Sequence, residues 1–156
     1  MIVIGIDPGL ATVGFGVIRT ENGNITPVSY GCIRTSADKQ TPERLLEIFG
    51  ETRSLFEKYA PEVIAVEKLF FSRNVTNALS VSEARGVIFL AAQQMNIPII
   101  EYTPNQVKQA ITGSGKADKK QVQEMIKRLL GLDEIPKPDD AADGLSIALC
   151  HINWQK

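Results

Sequence analysis

Four carboxylates stand where the surrounding residues are apolar and an acid is out of place. Asp7 ends the run Ile2-Val-Ile-Gly-Ile6, Glu67 ends Val63-Ile-Ala-Val66, and Asp140 and Asp143 open a stretch rich in Ala and Leu. Residues three apart on a helix share a face, so Asp140 and Asp143 can address one point. If the two strands are neighbours and the last helix crosses their ends, all four acids meet. Clustered carboxylates repel, and divalent cations relieve that repulsion; hard oxygen ligands suit Mg²⁺, with Mn²⁺ as a substitute. Two such ions stabilise the entering and leaving oxygens of an in-line phosphoryl displacement and activate a water, so the site would need no side-chain nucleophile. Each acid also has a structural reading: a turn residue before Pro8-Gly9 for Asp7, a strand-end surface acid for Glu67, and a helix N-cap for Asp139 or Asp140. Asp143 is the hardest to explain that way, because Ala141, Ala142, Leu145 and Ile147 surround it.

Elements that would hold these acids can be read from the pattern. Ile2–Ile6, Val13–Ile18 and Thr26–Thr35 read as three short strands joined by Asp-Pro-Gly and Asn-Gly turns, an antiparallel meander. A helix follows from Thr41-Pro42 to Tyr59, with Thr41 as its N-cap. Then come a strand at Val63–Val66, a helix at Ala78–Met95, a strand at Ile97–Tyr102, a helix opened by Thr103-Pro104 and Gln106, an amphipathic helix at Lys119–Leu130, and a last helix at Asp140–Ile152. A meander followed by alternating helices and strands predicts an α/β domain with a mixed five-stranded sheet, antiparallel and then parallel, and helices on both faces.

The chain has 156 residues, which suits one domain spanning 1–156. Its net charge of -1 excludes binding of nucleic acid through bulk charge, but the charge is segregated. Residues 101–130 carry six Lys or Arg and three acids, whereas 131–150 carry one Lys and five acids. That places a basic stretch beside an acidic site, as a metal-dependent enzyme of nucleic acid needs. Lys127 and Arg128 read as a solvated helix end. The segment Gly113-Ser-Gly-Lys-Ala lacks the spacing of a phosphate loop. One histidine and two cysteines do not make a Cys/His zinc site, and Cys32 and Cys150 read as core thiols of a reducing cytoplasm. No signal peptide or membrane span is expected. Phe70-Phe71 lies in a polar stretch after Glu67, which suits base stacking by Phe70 with Phe71 turned inward. Arg73 and Arg85 are candidate phosphate contacts or interface ions. The helix around Ile88, Phe89 and Leu90 is more apolar than one buried face requires, which predicts a dimer contact or a central core helix.

Several motifs in series resemble the RuvC family of Holliday junction resolvases: Gly5-Ile-Asp-Pro-Gly-Leu-Ala-Thr-Val-Gly-Phe-Gly16, Ala65-Val-Glu-Lys-Leu-Phe70, Glu83-Ala-Arg-Gly-Val87, Asn105-Gln-Val-Lys-Gln109, Gly113 to Lys119, and Asp140-Ala-Ala-Asp143-Gly-Leu. The resemblance runs in order from residue 2 to about His151. It implies an RNase H-like fold, a homodimer, Mg²⁺ dependence with two ions per site, and structure-selective cutting of four-way DNA junctions in recombination and repair, beside a branch-migration helicase of the RuvA and RuvB type. Carried over by position, it implies Asp7, Glu67, Asp140 and Asp143 as catalytic metal ligands, Phe70 as the residue stacking on an unpaired base, and Lys108 and Lys119 as lysines near the scissile phosphate. Lys120, Phe71, Arg73 and Arg85 complete the expected DNA contacts. Competing readings are another nuclease of this fold acting on RNA–DNA hybrids or other branched DNA, a small phosphotransferase related to sugar kinases and actin, and a non-catalytic DNA-binding module. The chain is short for the second, and four retained acids argue against the third.

Overall fold

The computed structural model describes residues 1–69 and 75–155. Strands β1 (Ile2–Asp7), β2 (Thr12–Glu21) and β3 (Asn24–Arg34) form the meander. They are followed by α1 (Thr41–Tyr59), β4 (Val63–Glu67), α2 (Val75–Gln94), β5 (Ile99–Tyr102), α3 (Pro104–Thr112), α4 (Lys119–Leu129) and α5 (Asp139–Trp154). The sheet has five strands in the order β3-β2-β1-β4-β5. β1 pairs antiparallel with β2 and parallel with β4, and β4 pairs parallel with β5. This is the mixed α/β arrangement of the RNase H-like fold, with helices on both faces, as the element order predicts.

The two-residue period of the strands decides what lies on each face. Ile4, Ile6, Ile64 and Val66 join Ile48 and Phe56 of α1 and Ala84 and Ile88 of α2 in one core. Val3, Val63, Ala65 and Tyr102 join Val107, Ile126 and the buried face of α5 in the other. Asp7 and Glu67 continue the alternation of Val3 and Ala65, so they emerge on the α5 face. Register brings them level, because Ile6 is paired with Val66 in the parallel ladder.

Local differences from the pattern have simple causes. The N-cap of α1 is Gln40 rather than Thr41: its side chain and that of Glu43 form the capping box, and Pro42 falls within the first turn. The N-cap of α5 is Pro138, so neither Asp139 nor Asp140 caps it, and both side chains remain available for other contacts. β2 and β3 are longer than their apolar cores suggest, since the hairpin continues through the polar pair Glu21 and Asn24. Thr103 caps α3 reciprocally with Gln106, as expected. Helix α2 is both core and surface: Ile88, Ala91 and Ala92 are fully buried, Phe89 is half-buried, and Leu79 and Leu90 are 57% and 53% exposed. Both cysteines are free, Cys150 buried and Cys32 half-buried. The His151 ring is buried against Tyr102, whose hydroxyl is 2.8 Å from Nδ1. No described helix is long and apolar enough to cross a membrane.

Candidate active site

The site is assembled where α5 crosses β1 and β2. The crossing is close because the strands present glycine there. A Cβ at position 14 would lie 1.9 Å from the Asp140 carbonyl oxygen, and one at Gly144 would lie 2.4 Å from the main-chain carbon of Phe15. Gly5 and Gly16 sit under the next turns of α5. Backbone therefore rests on backbone, and the first turn of α5 is lowered onto the end of β1. The alternate glycines of β2 are visible in the sequence, but their purpose depends on which helix lies over them.

As a result, carboxylate oxygens of Asp7, Asp140 and Asp143 all lie within 4.8 Å of one another. Burial and then the charges of Asp143, Glu67 and Asp140 push the Asp7 carboxyl up to about 8. A hydrogen bond between the Asp7 and Asp143 carboxyls adds to this, favouring the protonated form of Asp7 and the ionised form of Asp143. Burial also raises Asp143, opposed by the Lys119 ammonium. Glu67 lies outside the compact trio, yet its carboxyl is raised by burial and by Asp143, against the pull of Lys108. This donor set is all hard oxygen, and it carries more negative charge than its own side chains neutralise. It is a fit for a divalent cation such as Mg²⁺ or Mn²⁺, whose charge would remove the penalty on ionising Asp7.

Lysines border the acids on one side. Lys119, at the start of α4, has its ammonium 3.5 Å from Asp139 and 3.7 Å from Asp143. Burial lowers the Lys119 pKa, but Asp143, Asp139 and Asp140 outweigh it and keep the charge in place. Gln123, one turn on, donates to Asp139 at 3.2 Å, so the starts of α4 and α5 are tied together. Glu67, Lys108, Lys119, Gln123, Asp143 and Ser146 line a cleft of about 340 Å³. On the other side, Asp7 and Asp140 open onto a cleft of about 460 Å³ that also includes Arg44, Asn77 and Ser80. The acids thus sit between two clefts. Arg44, Asn77 and Ser80 look like ordinary solvated polar residues in the sequence, because nothing in their spacing ties α1 and α2 to Asp7.

The model of the family described as crossover junction endodeoxyribonuclease RuvC matches residues 3–151. The chain belongs to the RuvC family. Among its relatives, the crossover junction endodeoxyribonuclease RuvC of Brevibacillus brevis is 55% identical over 155 residues, covering 99% of this chain and 93% of that one. The protein of the same name from Desulfitobacterium hafniense is 53% identical over 151 residues, 97% of this chain and 92% of that one. Among solved structures, T. thermophilus RuvC in complex with Holliday junction substrate superposes with a TM-score of 0.94 at 36% identity, covering 99% of this chain and 94% of that one.

In this RuvC-family chain the structure brings Asp7, Asp140 and Asp143 together, with Glu67, Lys108 and Lys119 around the same cleft. Lys120 faces away from that cleft, lining a separate hollow with Lys116 and Arg128 on the far side of α4. Arg85 is turned inward: it donates to the Glu67 carbonyl at 2.5 Å and to the Glu101 carboxylate, with its guanidinium 4.9 Å from the Phe89 ring centre. Phe70, Phe71 and Arg73 lie outside the described residues.

Proposed function

We propose that this chain is a structure-selective endonuclease that resolves four-way DNA junctions by paired symmetric nicks. The observation that carries the reading is the trio Asp7, Asp140 and Asp143, with oxygens within 4.8 Å, beside a lysine-lined cleft in a RuvC-family chain. Asp7, Asp140 and Asp143, completed by Glu67, would hold two Mg²⁺ ions, which when bound supply charge neutralisation and an acidified water. Residues 1–156 act as one RNase H-like nuclease domain.

The protein's own groups divide the remaining work. With the charge of a bound cation nearby, Asp7 would ionise and no longer donate to Asp143, leaving both carboxylates available as ligands. Lys119 stays charged and lies beside Asp143, in position to stabilise charge on the transferring phosphate. Lys108 faces Glu67 across the cleft, in reach of a backbone phosphate. Lys120, Phe71 and Arg73 serve as further DNA contacts, while Phe70 stacks on an unpaired base.

Two symmetric nicks need two sites related by a two-fold axis, which a C₂ homodimer supplies. The exposed Leu79 and Leu90 of α2, with Leu46 of α1 at 71% exposure, are the apolar surface suited to that contact. The reading places the protein in the cytoplasm with recombination and repair, beside a branch-migration helicase complex of the RuvA and RuvB type.

The test is cleavage of a labelled four-way junction with Mg²⁺, alongside Ca²⁺, an Asp7→Asn variant, a matched duplex and an RNA–DNA hybrid. Paired nicks on the junction alone, absent in the variant, support the proposal. Equal cutting of duplex or hybrid overturns it in favour of a broader nuclease, and binding without cutting in favour of a binding module.

A further inference from the structure

Arg85 sits in an unusual place for a cation on a protein that handles DNA. Its side chain is only 11% exposed, and its two guanidinium arms are already used. One donates to the carbonyl of Glu67, the residue at which β4 leaves the sheet; the other pairs with Glu101 on β5. The Phe89 ring, one turn further along α2, packs against the same guanidinium. The Lys68 amide then donates to the Tyr102 carbonyl at 2.7 Å, the last sheet-like bond before the chain departs. The peptide that joins Glu67 to Lys68 is therefore held at its carbonyl by α2 and at its N–H by β5. Its carboxylate is meanwhile directed to the opposite face, toward Lys108 and Asp143.

We propose that Arg85 is a positioning residue for Glu67: bridging the Glu67 carbonyl and the Glu101 carboxylate, it fixes where β4 ends and so where the Glu67 carboxylate stands, rather than contacting a phosphate. The chemistry suits the task. A planar guanidinium can donate along two divergent directions at once, which an ammonium cannot do with the same rigidity. A carbonyl at a strand end is a fixed acceptor, and Glu101 holds the fork in plane. Loss of a partner that orients a metal ligand typically costs about 10–100-fold in metal affinity or activity. The inference rests on the reading of Glu67 as part of the metal site.

The experiment compares Arg85→Met, Arg85→Lys and Glu101→Gln with the wild type. Met keeps the length and an apolar contact with Phe89 but has no donor. Three quantities are read: junction affinity in Ca²⁺, single-turnover cleavage at saturating junction in Mg²⁺, and Mn²⁺ affinity without DNA by calorimetry. Expected for Arg85→Met are junction affinity within about twofold of wild type, cleavage reduced about 10–100-fold, and weaker Mn²⁺ binding. Arg85→Lys, with a donor restored, should regain part of both losses. Glu101→Gln, a change of one charge at an exposed position, should show the same split in weaker form and stands in if Arg85→Met does not fold. A junction affinity that drops about tenfold with a salt slope reduced by about one, and cleavage unchanged at saturation, would make Arg85 a phosphate contact and overturn the proposal. Wild-type behaviour of Arg85→Met and Glu101→Gln in all three measurements also overturns it. If the wild type cuts no junction, the functional reading fails by itself, and the ratio of Mn²⁺ affinities still decides the role of Arg85.

Discussion

Gly14 lies directly beneath Asp140, so close that a Cβ on one would fall 1.9 Å from the carbonyl oxygen of the other. The contact sets the height of the first turn of α5 above the sheet, and with it the separation of Asp140 and Asp143 from Asp7. Gly14→Ala must push that turn outward. Overpacking of this kind costs about 1–3 kcal/mol, which a domain of this size can survive. The catalytic loss should be larger in proportion, because misplacing reacting groups by about 1 Å can cost about 10²-fold. We expect a folded Gly14→Ala protein that binds junction DNA and cuts it about 100-fold more slowly. Wild-type cleavage rates in a folded variant would contradict this account.

Asp7 carries a pH signature. Its carboxyl is raised from 3.8 to about 8 in the folded protein, so the folded state resists its ionisation. Without metal, this group contributes no penalty below the unfolded value. The penalty grows as pH rises through the window between 3.8 and about 8, and levels off above it. Asp7→Asn removes it. The variant's melting temperature should exceed that of the wild type at pH 8, by about 2–4 °C for each kcal/mol relieved. The gap should shrink on acidification and vanish near pH 4. Millimolar Mg²⁺ should stabilise the wild type more than the variant and narrow the gap. A gap that widens on acidification would reverse the sign and refute the assignment.

Lys119 is held by Asp139 and Asp143 while remaining more than half exposed. Such a placement suits charge stabilisation better than folding. Lys119→Met should lower the cleavage rate at saturating junction about 10²–10³-fold, in the range for loss of one preorganised donor, with little change in melting temperature. An unchanged rate would remove Lys119 from the chemistry.

Leu79 and Leu90 are exposed on the same helix whose other side is core. Glutamate at both positions should leave the monomer fold intact and shift a dimer toward monomer at micromolar concentration, read by analytical ultracentrifugation. A monomeric wild type under those conditions would remove the dimer from the proposal.

Much of this was legible in the residues. Asp7 and Glu67 follow apolar runs whose period of two fixes the face on which each emerges, and Asp140 and Asp143 are three apart on a helix. Their convergence required that β1 and β4 be neighbours and that α5 cross their ends, which the glycines of β1 and β2 permit. The inward bonds of Arg85 to the Glu67 carbonyl and the Glu101 carboxylate were not legible, since they depend on how α2 packs against β4 and β5. Arg44, Asn77 and Ser80 were hidden for a related reason: they reach the acids only through the packing of α1 and α2 on the sheet. The N-cap of α1 falls one position before Thr41, because the Gln40 main-chain amide donates to the Glu43 carboxylate; Gln is a less common cap than Thr.

The strand that bears Asp7 is the middle one of the sheet, and the helix that bears Asp140 and Asp143 is buried along nearly its whole length. Neither can shift by much without unpacking both cores. A site so stiff cannot mould itself to its target, so the adjustment falls on the nucleic acid. A straight duplex resists bending and unstacking, and pays elastic energy to present its phosphate at the bottom of the cleft. A branch point, where the backbone already changes direction between arms, has less to give up. Selectivity for branched DNA can then arise with few base-specific contacts, from the mismatch between a rigid protein and a compliant substrate.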